Sequence, residues 1–214
     1  MTATVDSEAF RYTQEISMSY AIIGLGKIGT AIARAFAHKG LEVIVAGRRS
    51  LDALAAQIGP SVVPRRVDDA VKADVVILAV PFATHSEIGR TAESWQGKVV
   101  IDATNAFGVP PEELGGLPST AALAKSFPGA KVVKAFNHLP ASVLAKGART
   151  PQGGRRVVFV SSDDDAASAS VAALVDRLGF APIELGKIGE GGMLVQARGS
   201  TWARLIFQDL AKFD

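Results

Sequence analysis

The feature that most constrains this chain is a glycine triplet, Gly24-Leu25-Gly26-Lys27-Ile28-Gly29, set between two patterned segments. Tyr20–Ile23 before it reads as an apolar strand. Lys27–His38 after it is alanine-rich with helical spacing and is stopped by Gly40. In such a strand–turn–helix, each glycine has its own task. Gly24 permits the tight turn, Gly26 lets a phosphate approach the backbone, and Gly29 lets the helix pack close to the strand. The free N–H groups of the helix N-terminus then face the anion. The triplet therefore predicts a parallel-sheet unit with a dinucleotide pyrophosphate at its first turn.

The rest of the chain repeats the alternation. Strands are expected at 42–46, 62–66, 74–80, 99–102, 131–136, 156–161 and 181–184. Helical stretches are expected at 51–58 (with Ser50 as its cap), 68–72, 84–94, 120–127, 140–146, 163–178 and 193–207. Residues 107–117, rich in proline and glycine, read as a loop. The 74–80 run shows no polar alternation, so it is expected to be buried on both faces. The predicted fold class is α/β: a Rossmann-like, doubly wound, mostly parallel sheet with a small C-terminal helical portion. Its expected division is a flexible extension at 1–18, a dinucleotide-binding domain at 19–185, and a C-terminal segment at 186–214 that completes the acceptor site.

The residues after the second strand bear on which dinucleotide fits. An NAD site places a carboxylate there for the ribose hydroxyls. This chain has Arg48-Arg49-Ser50 instead, and Glu42 lies at the opposite end of the strand. Two guanidiniums and a hydroxyl suit a 2′-phosphate, so NADP(H) is the expected cofactor.

Composition narrows the remaining chemistry. The chain has 214 residues with no cysteine, which excludes disulfides, thiolate metal sites and a cysteine nucleophile. Its three histidines, His38, His85 and His138, are far apart in sequence, and no metal site is expected. A net charge of +2 gives no reason to expect nucleic acid. The longest apolar run, Val75 to Val80, is far too short to cross a membrane. With no apolar leader in residues 1–18, the expected location is cytoplasmic.

The carboxyl ends of later strands should line the nicotinamide half of the cleft. Val80 and Pro81 would give an apolar wall, and Asn105 a hydrogen bond to ribose or carboxamide. No Tyr-x-x-x-Lys relay, H-E-x-x-H or G-x-S-x-G is present. About thirty residues follow the last expected strand, too few for a large helical substrate domain. A flat redox partner, a flavin or deazaflavin, fits such a site because direct hydride transfer needs orientation more than a general acid. A carbonyl or imine acceptor would need a proton donor, for which His138 is the best candidate, with Asn137 orienting a ring. Three readings stand: an NADPH-dependent oxidoreductase with a small-molecule hydride acceptor, a non-catalytic NADP(H)-binding redox sensor, and a small carbonyl or imine reductase using His138.

The order of six motifs adds to this. The chain resembles the NADPH-dependent reductases of the deazaflavin coenzyme F-420 across residues 18–210. The resemblance rests on Ile23–Gly29, Gly47–Ser50, Ala79–Pro81, Asp102–Asn105, Lys134–Asn137 and Gly191–Gln196. It implies a Rossmann core with a small C-terminal portion, a homodimer, and hydride transfer between NADP(H) and a deazaflavin. By position it implies Gly24, Gly26 and Gly29 at the diphosphate and Arg48, Arg49 and Ser50 at the 2′-phosphate. Val80, Pro81, Asn105 and Asn137 would surround the nicotinamide. The chain departs from the family at Ala106, where proline is usual, and at His138, where threonine is frequent.

Overall fold

In the computed structural model, which describes residues 18–196, all eight strands join one sheet. The elements, in chain order, are β1 (Tyr20–Ile23), α1 (Lys27–His38), β2 (Val43–Ala46), α2 (Asp52–Ile58), β3 (Val62–Pro64) and α3 (Val67–Ala70). There follow β4 (Val75–Leu78), α4 (His85–Gly89), β5 (Val99–Asp102), α5 (Ser119–Ala124) and β6 (Lys131–Ala135). The last are α6 (Ala141–Leu144), β7 (Val157–Ser162), α7 (Asp165–Arg177) and β8 (Ala181–Glu184). Short 3-10 turns occupy Phe82–Thr84, Pro111–Leu114 and Gly191–Val195.

The strand order is β3-β2-β1-β4-β5-β6-β7-β8. Every pair is parallel except β6–β7, which is antiparallel. The chain winds outward from β1 to β3 and then returns to β1's other side with β4. That reversal opens a crevice beyond the carboxyl ends of β1 and β4, where ligands bind in open sheets of this kind.

Alternation along the inner strands builds two cores. Ile22, Ile77, Ile101 and Val133 point to one face and pack with Ile32, Phe36, Val175 and Phe180. Ile23, Val76, Leu78, Val100 and Val132 point to the other and pack with Trp95, Leu123 and Phe127. All four residues of β4 and of β5 are buried, as the lack of alternation in their sequence requires. A third, smaller cluster seats Val195 on Val157 and Phe159, fixing the C-terminal turn against β7. That contact is close. A Cβ on Gly192 would fall 2.5 Å from Ser161 Oγ, and one on Gly191 would fall 1.9 Å from the Leu185 carbonyl oxygen.

Four local expectations are corrected. The helix expected at 84–94 is a 3-10 turn followed by α4, which stops at Gly89. Its end is set by packing: the Trp95 indole donates to the Gly89 carbonyl at 2.8 Å, and a Cβ on Gly89 would collide with Ser126. Ser50 does not cap α2, since Leu51 holds that position without a side-chain bond. The 107–117 loop contains the 3-10 turn Pro111–Leu114. The final helix expected from Met193 is a 3-10 turn as far as Val195, and its remainder lies outside the described residues, as does nearly all of the 1–18 extension.

Candidate functional site

The glycine triplet folds as its spacing demands. Gly24 has φ +98°, and a Cβ there would lie 2.5 Å from the Ala79 carbonyl oxygen. A Cβ on Gly29 would lie 1.9 Å from the Gly24 carbonyl oxygen. Neither position admits a side chain without moving backbone. Gly26 differs: nothing lies within 4 Å of where its Cβ would stand. Its bare face is open to a ligand. Gly26 also caps α1 without a side-chain bond, and the first turn of α1 carries no acid. The positive end of a 12-residue helix is therefore left for an anion.

A cleft of about 740 Å³ opens here. Its walls include Gly24, Leu25 and Gly26 from the first turn, Arg48, Arg49 and Ser50 after β2, and Val80 and Pro81 after β4. Counting every residue of the 24–29 turn as expected at the cofactor, eight of thirteen thus face one volume, and Asn105 and Asn137 do not line it. Arg48 and Arg49 are exposed. Ser50 is already engaged, its hydroxyl donating to Asp52 at 2.5 Å. Lys27 and Ile28 lie on the first turn of α1, outside the cleft lining, and Gly29 is buried beneath it.

Asn105 and Asn137 follow β5 and β6, the next strands along the same edge. They are tied to each other. Asn105 Nδ2 donates to the Asn137 carbonyl at 2.8 Å, and Asn137 Nδ2 donates to Asn105 Oδ1 at 3.2 Å. Asn137 Nδ2 also donates to the Val195 carbonyl at 2.9 Å, which brings the C-terminal turn to the pair. Asn137 Oδ1 is buried with no partner. Asn137 lies outside the cleft lining, and a buried acceptor oxygen without a donor among the described residues is an uncommon arrangement.

Beneath the asparagines lies a buried ionic network that the sequence reading missed apart from Asp102. Lys134 Nζ sits 3.1 Å from Asp102 Oδ2 and also donates to the Thr104 carbonyl at 3.3 Å. Asp102 accepts from Thr104 N at 2.9 Å, Thr104 Oγ1 at 2.6 Å and Thr120 Oγ1 at 2.7 Å. Burial by itself would raise the Asp102 pKa. The Lys134 ammonium and the threonine hydrogen bonds outweigh it and hold the carboxyl below its ordinary range. The only sequence signal was a lysine inside an otherwise apolar strand. Gln196 was also passed over as an individual residue: its Oε1 accepts from Ser119 N at 2.9 Å, locking the C-terminal turn to α5.

His138 sits one residue past Asn137 but is 5% exposed, with its ring 4.9 Å from that of Phe159. Among the described residues neither ring nitrogen has a hydrogen-bond partner of normal geometry. Burial pushes its pKa down to about 4, opposed only in part by the Val157 backbone, so the ring is neutral at physiological pH. His85 begins α4 and does not line the cleft, with Nδ1 2.5 Å from the Phe82 carbonyl oxygen, and His38 is exposed at the far end of α1. Among the described residues no group of acidic and histidine side chains is placed to hold a metal. None of the described helices is long and apolar enough to cross a membrane.

Comparison with known proteins identifies the family of the chain. The family model described as NADP oxidoreductase, coenzyme F420-dependent, matches residues 19–106. A hypothetical protein from Sinorhizobium meliloti is 40% identical with a TM-score of 0.83, covering 90% of this chain and 96% of that one. A candidate F420-dependent NADP-reductase from Arthrobacter sp. FB24 is 31% identical with a TM-score of 0.66, covering 80% and 86%. Among curated proteins, the rat metalloreductase STEAP3 is 30% identical over 170 residues, 78% of this chain. The chain spans about a third of the length of that relative, 33%.

Proposed function

Since the chain belongs to the NADP oxidoreductase, coenzyme F420-dependent family, we propose that it passes hydride between NADP(H) and a flat acceptor, a deazaflavin or flavin. On this reading the bare Gly26 face and the uncapped start of α1 hold the diphosphate, and Arg48 and Arg49 hold the 2′-phosphate. Val80 and Pro81 wall the nicotinamide, and the asparagine pair orients it through the unpartnered Asn137 Oδ1. The bound nicotinamide supplies the hydride. The chain's residues hold two rings at contact distance and keep water from between them.

One observation carries the choice of a flat acceptor. The two exposed large apolar side chains among the described residues are Phe107, 71% exposed, and Met193, 38% exposed. Phe107 lies two residues past Asn105, and its N–H donates to the Asn105 carbonyl at 2.9 Å. Met193 lies two residues before Val195, whose carbonyl Asn137 holds. Both belong to segments that the asparagine pair organises, and both offer an apolar surface to a planar ring. His138, the sequence candidate for donating a proton to a carbonyl or imine, is 5% exposed, which favours the reading that needs no proton donor.

The test is anaerobic NADPH oxidation with deazaflavin, FMN, FAD, a quinone and a cyclic imine offered in parallel. Turnover with deazaflavin or flavin and none with the imine is the expected result. Turnover with the imine alone would overturn the flat-acceptor reading. NADPH binding without turnover on any acceptor would overturn the enzymatic reading in favour of a sensor.

A further inference from the structure

The molecule has a second, strongly basic groove of about 440 Å³. It lies at the C-terminal ends of α1, α6 and α7, whereas the cofactor cleft lies at the N-terminal end of α1. Along α1 the groove begins at Ala31, roughly 8 Å of helix beyond the Gly26 cap that lines the cofactor cleft. The groove floor is apolar, with Ala31, Ala35 and Leu178 among its residues. Its rim carries Arg34, Lys39, Lys146, Arg149 and Arg155.

The cations exceed what the fold uses there. Among the described residues Asp176 is the only carboxylate lining the groove, and Arg155 takes it at 2.7 Å. Among the described residues Arg34, Lys39 and Lys146 have no acidic partner, and Arg149 donates only to the Gly153 carbonyl, at 3.4 Å. Helix C-termini attract positive charge, which is the ordinary reason for cations at such a place. Here several of the open carbonyls are already served. Backbone N–H groups of Lys39 and Gly40 close α1, and Arg156 donates to the Gly147 and Arg149 carbonyls after α6. Arg34, Lys39 and Lys146, three cations around one concave volume, have no acidic partner among the described residues and make none of these capping bonds.

We propose that this groove is a ligand site for a small polyanion bearing two or more phosphate or carboxylate groups. Spaced cations on a concave rim favour a ligand with spaced negative groups over a single anion. The volume suits a small molecule.

Amide chemical shifts of the labelled protein, followed at low salt during separate titrations with pyrophosphate and citrate, test this without any cofactor. The Gly147 and Gly179 amides are expected to move saturably with at least one probe. The tighter probe identifies phosphate or carboxylate as the preferred group. Arg34→Glu combined with Lys146→Glu should weaken that response at least about tenfold. Any response at Gly24–Gly26 in the cofactor cleft should be unchanged. Both substituted side chains are exposed, so the fold should tolerate the changes. Groove amides that do not move with either probe, or that move equally in the double variant, would overturn the proposal.

Discussion

Asn105 and Asn137 hold each other across the ends of two adjacent strands, through Nδ2 to carbonyl at 2.8 Å and Nδ2 to Oδ1 at 3.2 Å. The pair makes one unit of β5, β6 and, through Val195, the C-terminal turn. Asn137→Ala removes two of these hydrogen bonds. It should lower kcat about tenfold while leaving the NADPH Kd within about threefold, because orientation is lost and the phosphate contacts remain. Asn105→Ala should do the same, and the double variant should be little worse than either. Additive losses in steady-state kinetics would show that the two residues act independently.

The three glycines should respond differently to a methyl group. Gly29→Ala places Cβ 1.9 Å from a carbonyl oxygen, so it should destabilise the fold by about 1–3 kcal/mol or more. Gly26→Ala meets nothing within 4 Å and should change stability by less than about 1 kcal/mol. Its methyl stands where the diphosphate is expected, so NADPH affinity should fall at least about tenfold, or ~1.4 kcal/mol. Urea unfolding and cofactor titration of the two variants check both halves. A Gly26→Ala protein with full NADPH affinity would move the diphosphate elsewhere.

Stability should depend on pH through His138. Its folded pKa of about 4 lies below the ordinary 6.5, so the unfolded chain binds a proton that the folded chain does not. Stability therefore rises with pH across that interval, by about 3 kcal/mol in all. It levels off above the unfolded pKa. Asp102 has the same direction but a lower window, because its pKa is depressed below the ordinary carboxylate range. Urea unfolding between about pH 4.5 and 6.5 isolates the histidine. His138→Phe, which keeps a ring against Phe159, should flatten most of that slope. An unchanged slope would mean that the imidazole is not desolvated.

The apolar platform can be tested apart from the cofactor. Phe107→Ser should raise the acceptor KM about five- to thirtyfold, as expected for losing 1–2 kcal/mol of apolar contact. The NADPH KM should stay put. An unaltered acceptor KM would place the acceptor away from this side chain.

Much of this architecture was legible in the sequence because its signals are local. Gly24, Gly26 and Gly29 carry steric requirements within one turn, and the unbroken apolar run of β4 requires burial on both faces. The antiparallel entry of β7 beside β6 was not legible. It depends on where Ala141–Arg156 carries the chain, and no short-range pattern encodes that. The Asp102–Lys134 pair was likewise hidden, because it joins residues 32 positions apart. Lys134 offered only the oddity of a charge in an apolar strand. His138 shows the opposite limit. Its position after a strand suggested chemistry, while its burial against Phe159 is a tertiary fact.

The most direct measurement is the affinity of NADPH and NADH for the wild-type protein and for the Arg48→Ala, Arg49→Ala double variant, by calorimetric titration. Wild-type protein should prefer NADPH, and the double variant should lose about ten- to a hundredfold of NADPH affinity, as expected for losing charge-assisted contacts of 1.5–3 kcal/mol. NADH should be nearly unaffected. Equal weakening of both, or no preference for NADPH in the wild type, would contradict the assignment of the arginine pair to the 2′-phosphate and of this cleft to NADP(H).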